Sequence, residues 1–262
     1  MLWIQKPSLT GILSVAAFQL RRLITLPRLA MALLGIIFPA AVMLAAGRAS
    51  RGQIDPDLAV VLLYVLIPEG ICLLGLLVTM SPVISDELER GTWVHVTVRP
   101  SGRVSLLLGT YLASVLWTGS VALTALGASL LVSNVWNPKE VASVFSGLIL
   151  LSCVGRAALF SLPAVILPKR ALVASVGVAI VVEYLAGLLP AVVNQLTISL
   201  RIRTLLVEWM DWRRQLPVEV QLLVDLKPAW VQVCAIFILS AVFLTAALFI
   251  LERRQFPPSE EV

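Results

Sequence analysis

Long apolar runs separated by short polar turns dominate this chain. They cover about residues 29–46, 58–80, 104–132, 141–167, 171–193 and 230–251. A helix needs about 20 apolar residues to cross a bilayer. The runs are too long for barrel strands, and in lipid the backbone groups of each must pair within the segment. The pattern predicts an all-α membrane protein with six transmembrane helices. The connections are too short for a separate soluble unit, so residues 1–262 read as one transmembrane domain.

Two stretches carry a different period. In residues 1–28, Leu9, Ile12, Leu13, Ala16, Leu20 and Leu23 recur at helical spacing, with Gln19, Arg21, Arg22 and Arg28 as a polar rim. That is the pattern of a helix lying in the membrane interface, broken from the first span at Pro27. In residues 194–229, Ile202, Leu205, Trp209, Trp212 and Leu216 form one helical face. Arg201, Thr204, Glu208, Asp211 and Gln215 form another. Pro217 ends this helix and opens a second over 218–226. Paired amphipathic helices are expected at the outer interface before the last span, free to dip into the membrane.

Composition sharpens the solvent. Of 262 residues, 59% are hydrophobic and only 13% are charged. Soluble domains carry about 25% charged residues, so a soluble enzyme is excluded. The net charge of +5 fits basic residues flanking spans better than nucleic-acid binding, because no basic patch with interleaved aromatics occurs. With the N-terminus inside, 11 Lys and Arg fall in cytoplasmic segments and 8 outside, and in the short loops the ratio is 11 to 3. Both termini are therefore expected in the cytoplasm. Trp136 and Trp230 then sit at the outer interface. Cys72, Cys153 and Cys234 lie in apolar runs without paired spacing, and His95 is the single histidine. Neither a disulfide framework nor a metal site is expected. No GxxxxGK[ST], HExxH or GxSxG occurs, so no enzyme activity is assigned to this chain.

Three charges fall inside spans: Glu69, Arg156 and Glu183. Arg156 precedes Lys169 by 13 residues and Glu183 follows it by 14, which at about 1.5 Å per residue puts both about 20 Å from that turn. Glu69 is the midpoint of its run. Charges at mid-membrane are costly and often functional. The three form a candidate polar cluster, either an ion pair holding helices together or a patch lining a substrate path. Pro39, Pro68 and Pro163 lie within the first, second and fourth runs and predict kinks.

The polar segment 81–103 reads SPVISDELERGTWVHVTVRPSGR. Ser81 and Pro82 suit a helix start, Gly91 a helix end, and Thr92 a second start that Pro100 terminates. Val94, Val96 and Val98 alternate as in a strand. An isolated strand here would have unpaired edges, so a helix is preferred. The expected product is two short helices with a glycine elbow. Its acids (Asp86, Glu87, Glu89) balance its arginines (Arg90, Arg99, Arg103), which suits a protein-docking face better than a basic membrane anchor.

Asp86-Glu87-Leu88-Glu89-Arg90-Gly91-Thr92, then Arg99-Pro100, Arg103 and Leu106-Leu107-Leu108-Gly109, resembles the ABC-2 type family of ABC-transporter permeases. The match covers about 30 residues, and the layout of helices extends it over the chain. Family members often carry a lysine after Leu-Leu-Gly, where Thr110 stands here. The resemblance implies a permease subunit of an ATP-driven exporter in a plasma membrane, bacterial inner membrane by analogy. It implies contact between 81–103 and a separate ABC-type ATPase, which would carry the ATP and magnesium. It also implies a second permease chain, identical or related. Without the resemblance, an ion-coupled carrier and a non-transporting scaffold stay open.

Overall fold

The computed structural model describes residues 8–50, 54–99, 101–133, 137–185, 197–212 and 227–254. Among them there is helix and no strand. Five helical stretches are long and apolar enough to cross a membrane. The first is α2 (Leu26–Ala49). The second is built from α3 (Pro56–Tyr64), a π-helical turn (Val65–Ile71) and α4 (Cys72–Met80). The others are α7 (Gly102–Val132), α8 (Pro138–Ile166) and α11 (Ala229–Arg253). The protein is an all-α, multi-pass membrane protein.

The expected interfacial helix is α1 (Leu9–Leu23), capped by Ser8, whose Oγ accepts from the Gly11 N–H at 3.1 Å. Its apolar stripe splits in two. Ile12, Ala16 and Leu23 are buried, while Leu9 and Leu13 face outward, as does Phe18 outside the stripe. The closest approach is to α7, where a Cβ on Gly109 would lie 2.6 Å from Val15. A larger residue at Gly109 would push α1 away.

The elbow forms as two short helices, α5 (Ser85–Glu89) and α6 (Trp93–Val98). Gly91 joins them at φ +68°, a left-handed conformation that glycine takes without steric cost. The alternating valines are helical, as expected. The starts differ in detail. Residues Ser81–Val83 form a 3₁₀ turn, and the buried Ser81 hydroxyl caps nothing. Thr92 precedes α6, but its hydroxyl bonds back to Glu87 instead of the helix. Arg99 is extended, as the residue before a proline should be, and Pro100 itself lies outside the described residues.

The fifth apolar run begins as α9 (Ala171–Val178) and continues as a second π turn, Ala179–Leu185. Its remainder, including Pro190, falls in 186–196, outside the described residues. The next helix, α10 (Ile198–Trp209), is not the surface helix expected of it. Nearly every residue from Ile198 to Val207 is buried, including Arg201 and Thr204 of the expected polar face. It ends at Trp209, with Asp211 at φ +52°, and residues 213–216 of the expected helix lie outside the described residues. The expected second helix at 218–226 lies outside the described residues. Two glycines of α8 let α10 approach: a Cβ on Gly155 would lie 2.9 Å from Ile198, and one on Gly147 would lie 3.0 Å from Trp209. Small residues at such crossings are how helices pack closely in lipid.

Candidate functional site

The three charges of the candidate polar cluster, Glu69, Arg156 and Glu183, meet. Arg156, on α8, has no exposed surface. Its Nη2 donates to Glu69, and its Nε lies 3.5 Å from Glu183 Oε2. Its Nη1 donates to Ser152 Oγ at 2.8 Å and to the Pro68 carbonyl. The Ser152 hydroxyl donates to the same carbonyl at 3.0 Å.

Both acids sit in π turns. In the first, proline removes a backbone donor and the ladder slips by one residue, so that the Cys72 N–H bonds to the Ile67 carbonyl. The Pro68 carbonyl then faces α8 and accepts from Arg156 and Ser152. Glu69 is completed by the Tyr64 and Ser199 hydroxyls, both donating to Oε1 at 2.7 Å. Glu183 accepts the first N–H groups of α10, Ile198 at 3.2 Å and Ser199 at 2.9 Å. One guanidinium thus serves two carboxylates, and the positive end of a helix faces the second. This local compensation is what allows carboxylates at such depth.

The arrangement joins four chain segments: the π turn after α3, α8, the π turn after α9, and the start of α10. The segments from α9 to α10 bring Glu183, the N–H groups of Ile198 and Ser199, and the Ser199 hydroxyl to it. Any displacement of α10 would strip Glu183 of two bonds and Glu69 of one. Chemically, the cluster is a bonded junction of charges within the described residues. They contain no group of three or more His, Cys, Asp or Glu able to hold a metal.

The elbow residues divide into an inner and an outer set. Glu87 is buried and bonded to Arg22 of α1 and to the Thr92 hydroxyl. Asp86 lies 3.9 Å from both Arg22 and Arg28. Arg103, at the start of α7, stacks over buried Trp93 at 5.7 Å. Its Nη1 also reaches the Leu251, Glu252 and Arg254 carbonyls at 3.2–3.3 Å. Arg254 in turn donates to the Val165 and Ile166 carbonyls that end α8. Basic groups on C-terminal carbonyls are favourable. The outer set is Glu89, Arg90, Gly91, Val94, His95, Val98 and Arg99, all exposed. Of the residues that carry the resemblance, Glu87 and Arg103 turn inward, and Glu89, Arg90 and Arg99 point away from the helices.

Sequence reasoning missed Tyr64, Ser152, Ser199 and Arg22 as members of these sites. Ser152 had a readable signal, four residues before Arg156 on one helix face. Tyr64 did not, since its five-residue step to Glu69 matches only a π turn. In comparison with known proteins, no family model and no curated protein matches the chain.

Proposed function

We propose that this chain is the membrane subunit of an ATP-driven exporter, working as a pair of permease chains with a separate ATPase. The observation that carries the proposal is the outer face of the elbow. Glu89, Arg90 and Arg99 beside Val94 and Val98 make an exposed, mixed-charge rim on a segment that internal bonds hold firmly. That is the character of a docking face. In this reading α1, the elbow and the end of α11 face the cytoplasm. The two partial helices at 171–185 and 198–209 then act as one interrupted crossing, the fifth of six. The outer faces of α2 and α11, mostly exposed, are left for lipid and the second permease chain, identical or related. The ATPase would bring ATP and magnesium, and its closure would reach the helices through the bonds of Glu87 and Arg103.

The test is co-purification with the ATPase of the neighbouring reading frame. The native chain should retain it. The Glu89→Lys/Arg90→Glu double variant should retain at least tenfold less, as expected when close opposite-charge contacts become repulsive, with its thermal stability unchanged. Recovery of no ATPase by the native chain would overturn the proposal. A second reading, an ion-coupled carrier, is favoured by the Glu69–Arg156–Glu183 cluster. Transport that follows a proton gradient without an ATPase would select it.

A further inference from the structure

A lipid-facing groove lies between α2, the second span and α7, with a cavity of ≈ 280 Å³. Met31, Leu34, Phe38, Leu74, Trp117 and Val121 line it. It is mostly apolar, with Arg28 and Thr79 at one end and Thr118, against Gly75, as its other polar lining residue. Arg28 and Thr79 also border a second, polar chamber of ≈ 20 Å³ beneath α1, large enough for a water. Arg22 Nη2, Thr110 Oγ1 and Ser114 Oγ are buried without hydrogen-bond partners, and their residues line that chamber.

The dimensions select an occupant. From Arg28 to Phe38 the groove follows α2 for ten residues, about 15 Å of helix. That is half of the roughly 30 Å hydrocarbon core, the depth of one leaflet. The polar end is therefore at headgroup level on the side of α1, and the apolar end is near mid-membrane. Arg28 is partly exposed there, with a side chain 25% accessible. One Nη donates to the Arg22 carbonyl at 3.2 Å, and the other lies 3.9 Å from Asp86. A guanidinium has five N–H donors in a fork that suits phosphate, so donors remain for an anionic group. We infer that this groove holds one phospholipid of the leaflet beside α1, its acyl chain along α2 and its phosphate on Arg28. The inference does not depend on coupling to an ATPase.

The test uses the full chain in phosphatidylcholine vesicles containing a phosphatidylglycerol with a photoactivatable group on its acyl chain. Peptide mapping should place the labels on segments 31–38, 70–78 and 117–121. The same group carried on phosphatidylcholine should label these segments less. Arg28→Gln should lower the preference for the anionic lipid about five-fold, the effect of one basic residue at a lipid surface. Arg28→Lys should keep most of it. A Cβ on Gly35 would meet only Val121, at 3.9 Å, so Gly35→Phe should fill the groove and remove its labels from an intact protein. Ala32→Leu is the milder filling variant should Gly35→Phe fail to fold. Labels spread equally over the exposed face of α11 would overturn the inference. So would a preference unaffected by Arg28→Gln, or a groove closed to lipid by crosslinks to a second copy.

Discussion

The mid-membrane cluster and the elbow clasp are made of the same residue types, and they differ in almost everything else. The cluster has Glu69 and Glu183 around one arginine, with Arg156 fully buried. The clasp has Asp86 and Glu87 facing two arginines, with 14% of the Arg22 side chain and 25% of Arg28 still accessible. Opposite charges at 4 Å attract by about 1 kcal/mol in water and several-fold more where water is excluded. The charge of lower count and deeper burial is therefore the one most tightly bound to its surroundings. The cluster also uses backbone, namely the Pro68 carbonyl and the N–H groups of Ile198 and Ser199, whereas the clasp is mainly side chain to side chain. Position, more than residue type, decides which set fixes the fold and which set is left to respond.

That contrast breaks most sharply at Arg156. Arg156→Leu strands two buried carboxylates and should cost about 3–5 kcal/mol. Thermal unfolding followed by size exclusion in detergent should report loss of the folded protein. Stability close to native would mean that the cluster does not hold the helices together. The clasp should be weaker. Glu87→Gln should cost about 1–2 kcal/mol, since a partly screened charged hydrogen bond is lost while the amide keeps the contact with Thr92. A double-mutant cycle with Arg22→Gln should show coupling, and added salt should weaken the clasp before it affects the cluster. The smallest effect belongs to Gly91. Gly91→Ala places a Cβ on a residue at φ +68° and should cost about 1 kcal/mol. No atom lies within 4 Å of that Cβ, so the loss comes from backbone strain alone. Faster hydrogen exchange confined to α5 and α6, with the spans unchanged, would show it.

Much of this was legible because lipid simplifies the code. Five spans follow from apolar run length alone, and the shared depth of Arg156 and Glu183 follows from counting residues on either side of one turn. The elbow's glycine was readable because a left-handed helix end has few other solutions. What hydropathy could not show was direction within a plane. Glu87 and Arg22 lie 65 residues apart, and nothing local tells an acid in a polar connection that its partner is in a distant helix of its own chain. The segment α10 misled for a related reason. Its alternating polar and apolar faces describe a surface helix only if water covers one side. Here Arg201 is covered by Gln232 of α11, with the Nη1 to Oε1 distance at 2.6 Å. The two π turns left no sequence mark beyond Pro68.

The burial of α10 also sets an order of assembly. A twelve-residue helix carrying two arginines and a glutamate is too short and too polar to enter lipid on hydropathy. It is buried against a surface that offers Gly147 and Gly155 as notches and Glu183 for its first amides. That surface precedes α10 in the chain, so synthesis delivers it first. The lid arrives last: α11 begins with its Ala229 N–H on Glu208 of α10, at 3.0 Å, and brings Gln232 to Arg201. The segment thus behaves as cargo of its own protein, received by the helices before it and sealed in by the helix after it.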